Sequence, residues 1–276
     1  MKRLVILTTL TLLVLFLLLT EGARHTGNIT LLAVAEKENG MLLEGSIADL
    51  SLVIQPGTGN VYLDTQPASK LDTQMSTRLA KNIACRLVQQ DCSRYDFFYT
   101  IRSGSVIIGG PSASSSVVIL TAALLKGLPL RDDVAFTGTI TSGNIVGGVA
   151  GIDKKIDAAA SANIITVLIP AGSRFMPASA RRENVLNLSN ATVSNTTKLD
   201  TQLDLVAYGK EKGVTVIEVV TLDEAFFHFT GSSLPHKNKF LVVDQEYTKT
   251  MKELGLMLCD RSVGIRQKIN NLLVKN

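Results

Sequence analysis

The sequence predicts an α+β domain of medium size. Short apolar runs with strand-like composition alternate with longer stretches in which apolar residues recur every three or four positions. Clusters of glycine, proline and serine separate most of these segments. Hydrophobic residues make up 46% of the 276 positions, which is enough to fill a core. Together these observations predict one globular domain built from helices and strands.

The strands are predicted from runs rich in β-branched and aromatic residues. In chain order they lie at 29–35, 47–54, 60–64, 96–101, 105–108, 134–140, 164–169 and 214–220. Helical spacing predicts helices at about 72–90, 113–126, 152–162, 200–212 and 222–229. Residues 173–200 are rich in serine, asparagine and arginine and lack periodicity, so we expect a surface insertion there.

The two ends of the chain differ from this central part. Met1-Lys2-Arg3 is basic and residues 4–19 are almost continuously apolar, which is typical of a signal peptide or a membrane anchor. A retained anchor is favoured because residues 20–23 form a poor cleavage site. Residues 245–274 return to helical spacing, which predicts a packed helix pair or an assembly element. The predicted division is a leader or anchor at 1–24, a domain at 25–231 and a helical extension at 232–276.

The leader also predicts where the domain resides. Positive residues before an apolar run favour a cytoplasmic N-terminus, so we expect a membrane-anchored domain outside the cytoplasm, or a secreted one. Such a location permits glycosylation at the Asn-x-Ser/Thr patterns. The candidate acceptors are Asn28, Asn187, Asn190 and Asn195.

Charge, histidine and cysteine usage narrow the possible functions. The net charge of +4 is small and dispersed, which argues against a nucleic-acid partner. The histidines lack metal-ligand spacing, so we expect no metal site. Cys85 and Cys92 are candidates for a disulfide only if the helix ends near residue 89 or 90. Seven residues of a continuous helix rise about 10 Å, which exceeds the limit of roughly 7 Å between the Cα atoms of bridged cysteines. Buried free thiols are an equally good interpretation.

A glycine-led serine cluster, residues 109–116, lies between an apolar run and a helical stretch. This pattern predicts a strand, a tight turn and a helix start. Pro111 suits the first turn because it has no amide hydrogen, and Ser112 follows where free amides favour negative charge. The turn therefore offers a nucleophilic hydroxyl close to amides that could hold an oxyanion. Ser114, Ser115 and Ser116 are interpreted as packing and capping residues.

A pair of lysines opens the predicted helix at 152–162. Ile152 and Ile156 share its apolar face, Lys155 flanks that face, and Lys154 points away from it. Burial of Lys155 would lower the pKa of its amine, because the charged form loses hydration. A neutral amine can accept a proton from a serine hydroxyl. Lys155 is therefore the candidate general base.

These segments resemble the proteolytic domain of Lon proteases, the serine-lysine peptidases, from about residue 106 to residue 170. The family's Pro-Ser-Ala stretch aligns with Pro111-Ser112-Ala113, and its glycine loop before a lysine-rich helix aligns with 151–156. The resemblance thus implies Ser112 as nucleophile and Lys155 as base. It also aligns residues 130–138 with a run ending in Thr-Gly, which implies that Thr137 orients the lysine.

The resemblance carries further implications. It implies a Lon proteolytic-domain fold, ribosomal protein S5 domain 2-like, and a serine endopeptidase that acts on protein or peptide substrates without a metal or organic cofactor. The amides around Gly110, Pro111, Ser112 and Ala113 would support the oxyanion. A homo-oligomeric ring, a hexamer, is expected from the same resemblance.

The sequence also departs from the family. Ser114 stands where a small residue is usual, and Gly110 and Pro111 stand where an acidic residue or glycine is usual, as the archaeal branch tolerates. No Gly-x-x-x-x-Gly-Lys-Ser/Thr phosphate loop occurs in the 276 residues, so we expect proteolysis that is independent of ATP hydrolysis in this chain.

Two alternatives come from other functional classes. One is a catalytically inactive Lon-like domain that binds peptides or partner proteins, against which the presence of both Ser112 and Lys155 argues. The other is an anion- or nucleotide-binding protein, because free amides at a helix start bind phosphate and a family of small-molecule kinases has a similar Gly-Ser-Ser turn on a related fold. Export away from cytosolic ATP and the lack of a second nucleotide motif argue against it.

Overall fold

A computed structural model describes residues 24–36, 42–104, 109–141, 143–176, 202–234 and 245–274. The chain divides into two compact units, 1–235 and 236–276. The predicted domain boundary at 231 stays a prediction. The predicted strand at 105–108, the apolar run at 4–19 and most of the predicted insertion lie outside the described residues.

Short strands and helices alternate through the first unit. The strands are β1 (His25–Glu36), β2 (Leu42–Pro56), β3 (Val61–Gln66), β4 (Tyr95–Ser103), β5 (Val134–Phe136), β6 (Thr139–Ile140), β7 (Val146–Gly147), β8 (Thr166–Pro170), β9 (Phe175–Met176), β10 (Leu203–Asp204) and β11 (Thr215–Val219). The helices are α1 (Leu71–Leu87), α2 (Ser114–Lys126), α3 (Ile152–Ser161), α4 (Leu205–Glu211) and α5 (Leu222–Thr230). A 3₁₀ turn, Pro111–Ala113, leads directly into α2.

The central sheet is mixed, with strand order β11-β8-β5-β1-β2-β4-β3. The strands from β11 to β1 run parallel to their neighbours, as does β3 to β4, whereas β1, β2 and β4 pair antiparallel. The predicted combination of helices and strands is therefore confirmed, but half of the sheet is built from parallel strands joined through helices. Such connections require crossovers, which α3 and α4 provide.

Both faces of the sheet are covered by helices. One hydrophobic cluster joins the sheet to α1, α2 and α5, and it includes Phe136 and Leu168. A second cluster joins the sheet to α3 and α4, and it includes Ala135 and Val167. The alternation follows from the strand period of two, which points successive side chains to opposite faces. The residue after Phe136, which is Thr137, therefore falls on the face covered by α3.

Several element boundaries differ from the sequence-based predictions, and the differences include one interrupted strand, one shortened helix and one helix that begins late. The strand predicted at 134–140 is interrupted at Thr137 and Gly138, so that it forms β5 and β6 in separate sheets. Helix α1 ends at Leu87, earlier than predicted, and Gln89 has a positive φ of 56°. Helix α4 begins at Leu205 because Asp204 caps it, its carboxylate accepting from the amides of Val206 and Ala207.

In the second unit the described residues form one helix, α6 (Gln245–Val274), of 30 residues. The sequence predicts helical structure there, and the alternative of a helix pair is wrong for the described residues. Its apolar side chains Met251, Leu254, Met257, Leu258 and Ile265 are exposed. Among the described residues, no helix has both the length and the apolar composition needed to cross a bilayer.

Candidate active site

Ser112 lies in the tight turn that connects the sheet to α2. Gly110 enters the turn with φ 91° and ψ 146°, a conformation that a side chain would strain. Pro111 occupies the first position of the 3₁₀ turn, as the sequence predicts, and Ser112 follows it partly exposed. Its hydroxyl makes no hydrogen bond to another described residue. The side chain is therefore accessible and uncommitted within the described part of the chain.

The amides of this turn are not all free. The Gly110 amide donates to Oδ2 of Asp72, at the start of α1, over 3.1 Å. Pro111 has no amide hydrogen, and the first amides of a helical turn have no partner within the turn. Ala113 is the last residue of the 3₁₀ turn and is half-buried. Of the predicted oxyanion donors, Gly110 is thus engaged by a carboxylate, which leaves the amide of Ser112 as the first available one.

Lys155 lies one turn into α3 and is buried. The helix follows Gly151, whose φ of 66° reverses the chain before Ile152. Ile152, Ile156 and Lys155 are all on the buried side, with Lys155 only 3% exposed, whereas Lys154 is partly exposed. This arrangement agrees with the helical spacing predicted from the sequence.

The Lys155 amine has one hydrogen-bond partner among the described residues. Its Nζ donates to Oγ1 of Thr137 over 2.8 Å, and both groups are buried. Burial lowers the pKa of Lys155 from 10.5 to about 8, since the charged amine has lost its hydration. A substantial fraction of this amine is therefore neutral in mildly alkaline solution.

Thr137 reaches Lys155 because the strand ends immediately before it. Phe136 is the last residue of β5, and the Thr137 amide continues the pairing by donating to the carbonyl of Leu168 in β8 over 3.1 Å. The side chain of Thr137 is fully buried on the face of the sheet that α3 covers. The hydroxyl thus meets the lysine from a fixed point at the end of a central strand.

Backbone hydrogen bonds connect this pair to the serine turn. The Gly138 amide donates to the carbonyl of Ser112 over 3.0 Å, directly beside Thr137. The stretch Thr137-Gly138 therefore contacts Ser112 through its backbone and Lys155 through its side chain. The three residues that the sequence suggests for nucleophile, base and orienting hydroxyl are brought to one region of the fold.

Sequence-based reasoning missed several residues of this region. The sequence predicts packing and capping roles for Ser115 and Ser116, yet their hydroxyls donate to the carbonyls of Gly138 and Phe136 rather than within the helix. The contact of Asp72 with Gly110 joins positions 38 residues apart, and no local pattern indicates it. In the sequence, the run of serines is the one indication of such contacts, because hydroxyls that become buried need hydrogen-bond partners.

The remaining predicted sites lie elsewhere. Cys85 and Cys92 are joined by a disulfide, with their Cα atoms 6.1 Å apart, and α1 ends early enough to allow it. Asn28 is exposed on β1, whereas Asn187, Asn190 and Asn195 lie outside the described residues. No cluster of histidine, cysteine or carboxylate side chains in the described residues has the arrangement of a metal site.

Comparison with known proteins identifies the family of this domain. A family model of the Lon protease (S16) C-terminal proteolytic domain matches residues 43–181, a span that contains Ser112, Thr137 and Lys155. The Lon protease of Paraburkholderia phytofirmans is 37% identical over 121 residues, which is 42% of this chain and 15% of that protein. The archaeal Lon protease of Thermococcus kodakarensis is 29% identical over 154 residues, 55% of this chain and 23% of that protein.

A third relative is the Lon protease of Xanthomonas oryzae, 31% identical over 158 residues, which is 56% of this chain and 18% of the relative. The chain thus spans less than a quarter of the length of these proteins. The mixed sheet, the serine turn and the match over residues 43–181 agree with one another. On this evidence the chain belongs to the family of Lon protease (S16) C-terminal proteolytic domains.

Proposed function

We propose that this chain is a serine endopeptidase in which Ser112 is the nucleophile and Lys155 is the general base. The observation that carries the proposal is the buried Lys155 amine, which has a pKa of about 8 and donates to Thr137 beside the serine turn. A structural lysine gains little from such a position, because burial penalises its charge. A base that must be neutral near physiological pH benefits from it.

The reaction follows from these groups. The neutral Lys155 amine accepts the hydroxyl proton of Ser112, and the serine oxygen forms a bond to the substrate carbonyl carbon. The resulting tetrahedral intermediate collapses as the C–N bond breaks, and the Lys155 ammonium gives its proton to the departing amine. Water then repeats the sequence, with Lys155 as base, and releases the acyl group as a carboxylic acid. Thr137 accepts a hydrogen bond from the lysine throughout and keeps it oriented.

The oxyanion of the intermediate requires amide donors at the serine turn. The Ser112 amide is the first donor without a partner in the turn. The Gly110 amide becomes a second donor only when the Asp72 carboxylate leaves it, since one hydrogen cannot serve both anions. Pro111 and Ala113 support the shape of the turn by fixing its 3₁₀ geometry.

We further propose that this peptidase acts without ATP and outside the cytoplasm. The 276 residues contain no phosphate-loop motif, and residues 4–19 have the composition of a signal peptide or anchor. The Cys85–Cys92 disulfide supports an oxidising compartment, because disulfides rarely persist in the cytosol. Assembly into a homo-oligomeric ring is proposed on the family resemblance, and sedimentation of the purified protein would test it.

Covalent labelling of the serine tests the peptidase proposal. The full chain is treated with a fluorophosphonate, and adducts are located by intact mass and peptide mapping. We expect one adduct on Ser112, lost in Ser112→Ala and strongly reduced in Lys155→Ala. Lys154→Ala is the matched control, because it removes a lysine from the same helix turn while Lys155 stays in place, and it should label like the parent.

Other results would redirect the proposal. A folded parent that forms no adduct and cleaves no unfolded protein, but binds peptides, would favour an inactive binding domain. Saturable binding of a nucleotide at the serine turn would favour the anion-binding alternative. Equal labelling of Lys155→Ala and the parent would remove the lysine from the mechanism.

A further inference from the structure

The start of α2 is bonded to the interrupted strand in an unusual way. The Ser115 hydroxyl donates to the carbonyl of Gly138 over 2.6 Å, and the Ser116 hydroxyl donates to the carbonyl of Phe136 over 2.8 Å. Both serines are fully buried. Their acceptors flank Thr137 on its two sides along the chain. The helix therefore bonds to the chain on both sides of Thr137, through these two hydroxyls and through the Ser115 amide, which donates to the Gly138 carbonyl over 3.4 Å.

Three threonine hydroxyls in other described positions of the helices behave differently. Thr77, Thr121 and Thr230 each donate to the carbonyl four residues earlier in their own helix. That is the usual local solution for a hydroxyl in a helix. Ser115 and Ser116 instead bond across to a segment 20 or more residues away in sequence. A buried hydroxyl needs a hydrogen-bond partner, but a carbonyl of its own helix would meet that need. The distant acceptors of Ser115 and Ser116 therefore require a further explanation.

The consequence of these bonds falls on Thr137. A residue that follows the end of a strand lacks the hydrogen bonds of the sheet, so its backbone dihedral angles are free to vary. Here the carbonyls before and after Thr137 are held by Ser116 and Ser115, and the Thr137 amide is held by Leu168. The Thr137 side chain therefore projects in one direction, toward Lys155.

We infer that Ser115 and Ser116 are positioning residues of the site, whose buried hydroxyls hold Thr137 so that its own hydroxyl remains bonded to Lys155. The inference rests on the proposed function for its catalytic meaning, because it assigns the two serines to the orientation of the proposed base. Both serines are fully buried, so neither is exposed to a substrate. They act through Thr137.

A titration of Lys155 measures this role without relying on catalysis. The full chain is labelled with ¹³C-lysine, the Lys155 signal is assigned by its loss in Lys155→Arg, and its titration midpoint is followed by NMR. Thr137→Val should lower the midpoint by about one pH unit, because the ammonium loses its hydrogen-bond acceptor. The double variant Ser115→Ala/Ser116→Ala should shift it in the same direction.

A double-mutant cycle then separates positioning from general loosening. In the Thr137→Val background the two serine substitutions should produce no further shift, because their effect passes through the missing hydroxyl. An equal shift in both backgrounds, or no shift in either, overturns the inference. Acylation of Ser112 should fall about 10- to 100-fold in the serine double variant, as expected for a displaced base.

Thr121→Val is the control for lost stability. It removes a fully buried hydroxyl from the same helix, with bonds to Val117 and Tyr99 rather than to the Thr137 segment. It should lower the melting temperature and leave the Lys155 midpoint unchanged. If the parent forms no Ser112 adduct, the proposed peptidase fails, while the titration cycle still decides whether the serines position Thr137.

Discussion

At the scale of single residues, the burial of Lys155 has a cost in stability and supports its proposed role as a base. Its pKa is about 8 in the folded chain and 10.5 when unperturbed, so between these values the unfolded chain binds the additional proton. The free energy of unfolding therefore rises as the pH increases from about 8 to about 10.5. Below pH 8 the full cost of burying the Lys155 ammonium is present. A pKa shift of this size corresponds to a loss of at most about 3 kcal/mol in the free energy of unfolding.

This penalty predicts that Lys155→Met stabilises the protein while it removes the proposed base. We expect the free energy of unfolding to increase by about 1–3 kcal/mol at pH 7, because no charge is then buried, although the Thr137 hydroxyl loses its donor. The gain should disappear near pH 10.5. Urea unfolding at pH 7, 8, 9 and 10 measures it, with Lys154→Met as the control, and a gain independent of pH would contradict the argument.

Gly138 provides a second prediction at this scale. A Cβ atom at this position would lie 2.5 Å from Cγ1 of Val146 and 3.2 Å from Oγ of Ser115. Val146 cannot retreat easily, because it is buried and its amide donates to the carbonyl of Val220 over 2.9 Å. Gly138→Ala should therefore destabilise the protein by about 1–3 kcal/mol and displace the Thr137 hydroxyl.

The measurement is thermal unfolding combined with the rate of Ser112 acylation. Gly148→Ala is a suitable control, since a Cβ there meets nothing within 4 Å. We expect the control to retain the acylation rate of the parent. If Gly138→Ala keeps the melting temperature and the acylation rate of the parent, the prediction is wrong, and the loop around Val146 accommodates the added methyl group.

At the scale of elements, the disulfide closes the end of α1. Helix α1 stops at Leu87, and the amide of Gln90 donates to the carbonyl of Cys85 over 3.0 Å, so the chain folds back within the short loop. Cys85 and Cys92, seven positions apart, are bonded and both buried beside the core. The loop leads directly to β4, an inner strand of the sheet.

Removal of this bond should therefore loosen α1 and β4 together. The double variant Cys85→Ala/Cys92→Ala is expected to lose about 2–3 kcal/mol, the chain-entropy value for a small loop. Urea unfolding under oxidising conditions measures the loss, and a reductant should destabilise the parent by a similar amount. Cys259→Ala, which replaces the exposed free cysteine, should be unchanged. A reductant-insensitive parent would contradict the structural role of the bond.

The interruption between β5 and β6 shows the limit of local patterns for elements. Residues 134–140 have the composition of one strand, and nothing in their periodicity indicates a break. The break is stabilised by partners from the 3₁₀ turn and the start of α2, namely Ser112, Ser114, Ser115 and Ser116. These contacts span 20 or more residues, so local propensity carries no information about them.

At the scale of the whole molecule, the first unit contains a complete core. Both hydrophobic clusters are formed by residues that precede position 235. The described apolar side chains of α6 are exposed in the second unit. The first unit therefore has its own hydrophobic interior, as an independently folding domain requires.

This organisation predicts that a chain ending at residue 235 remains folded. We expect its melting temperature to differ from that of the full chain by no more than a few degrees, and its Lys155 titration midpoint to be the same. Calorimetry and the NMR titration measure these two properties. A truncated chain that unfolds without a cooperative transition would show that the core depends on residues 236–276.

The sequence by itself determined most elements of this protein and predicted the residues of its candidate site. The Pro-Ser-Ala turn, the helical spacing that buries Lys155 and the Thr-Gly run are local patterns, and local patterns are what periodicity and motif resemblance detect. Tertiary structure alone decided how they meet. The alternation of side chains along the strand directs Thr137 toward α3, where its hydroxyl accepts from Lys155. Ser115 and Ser116 bond to the carbonyls on either side of Thr137, and the Asp72 carboxylate accepts from the Gly110 amide. Each of these is a contact between residues distant in sequence, which the packing of the helices against the two faces of one sheet brings together.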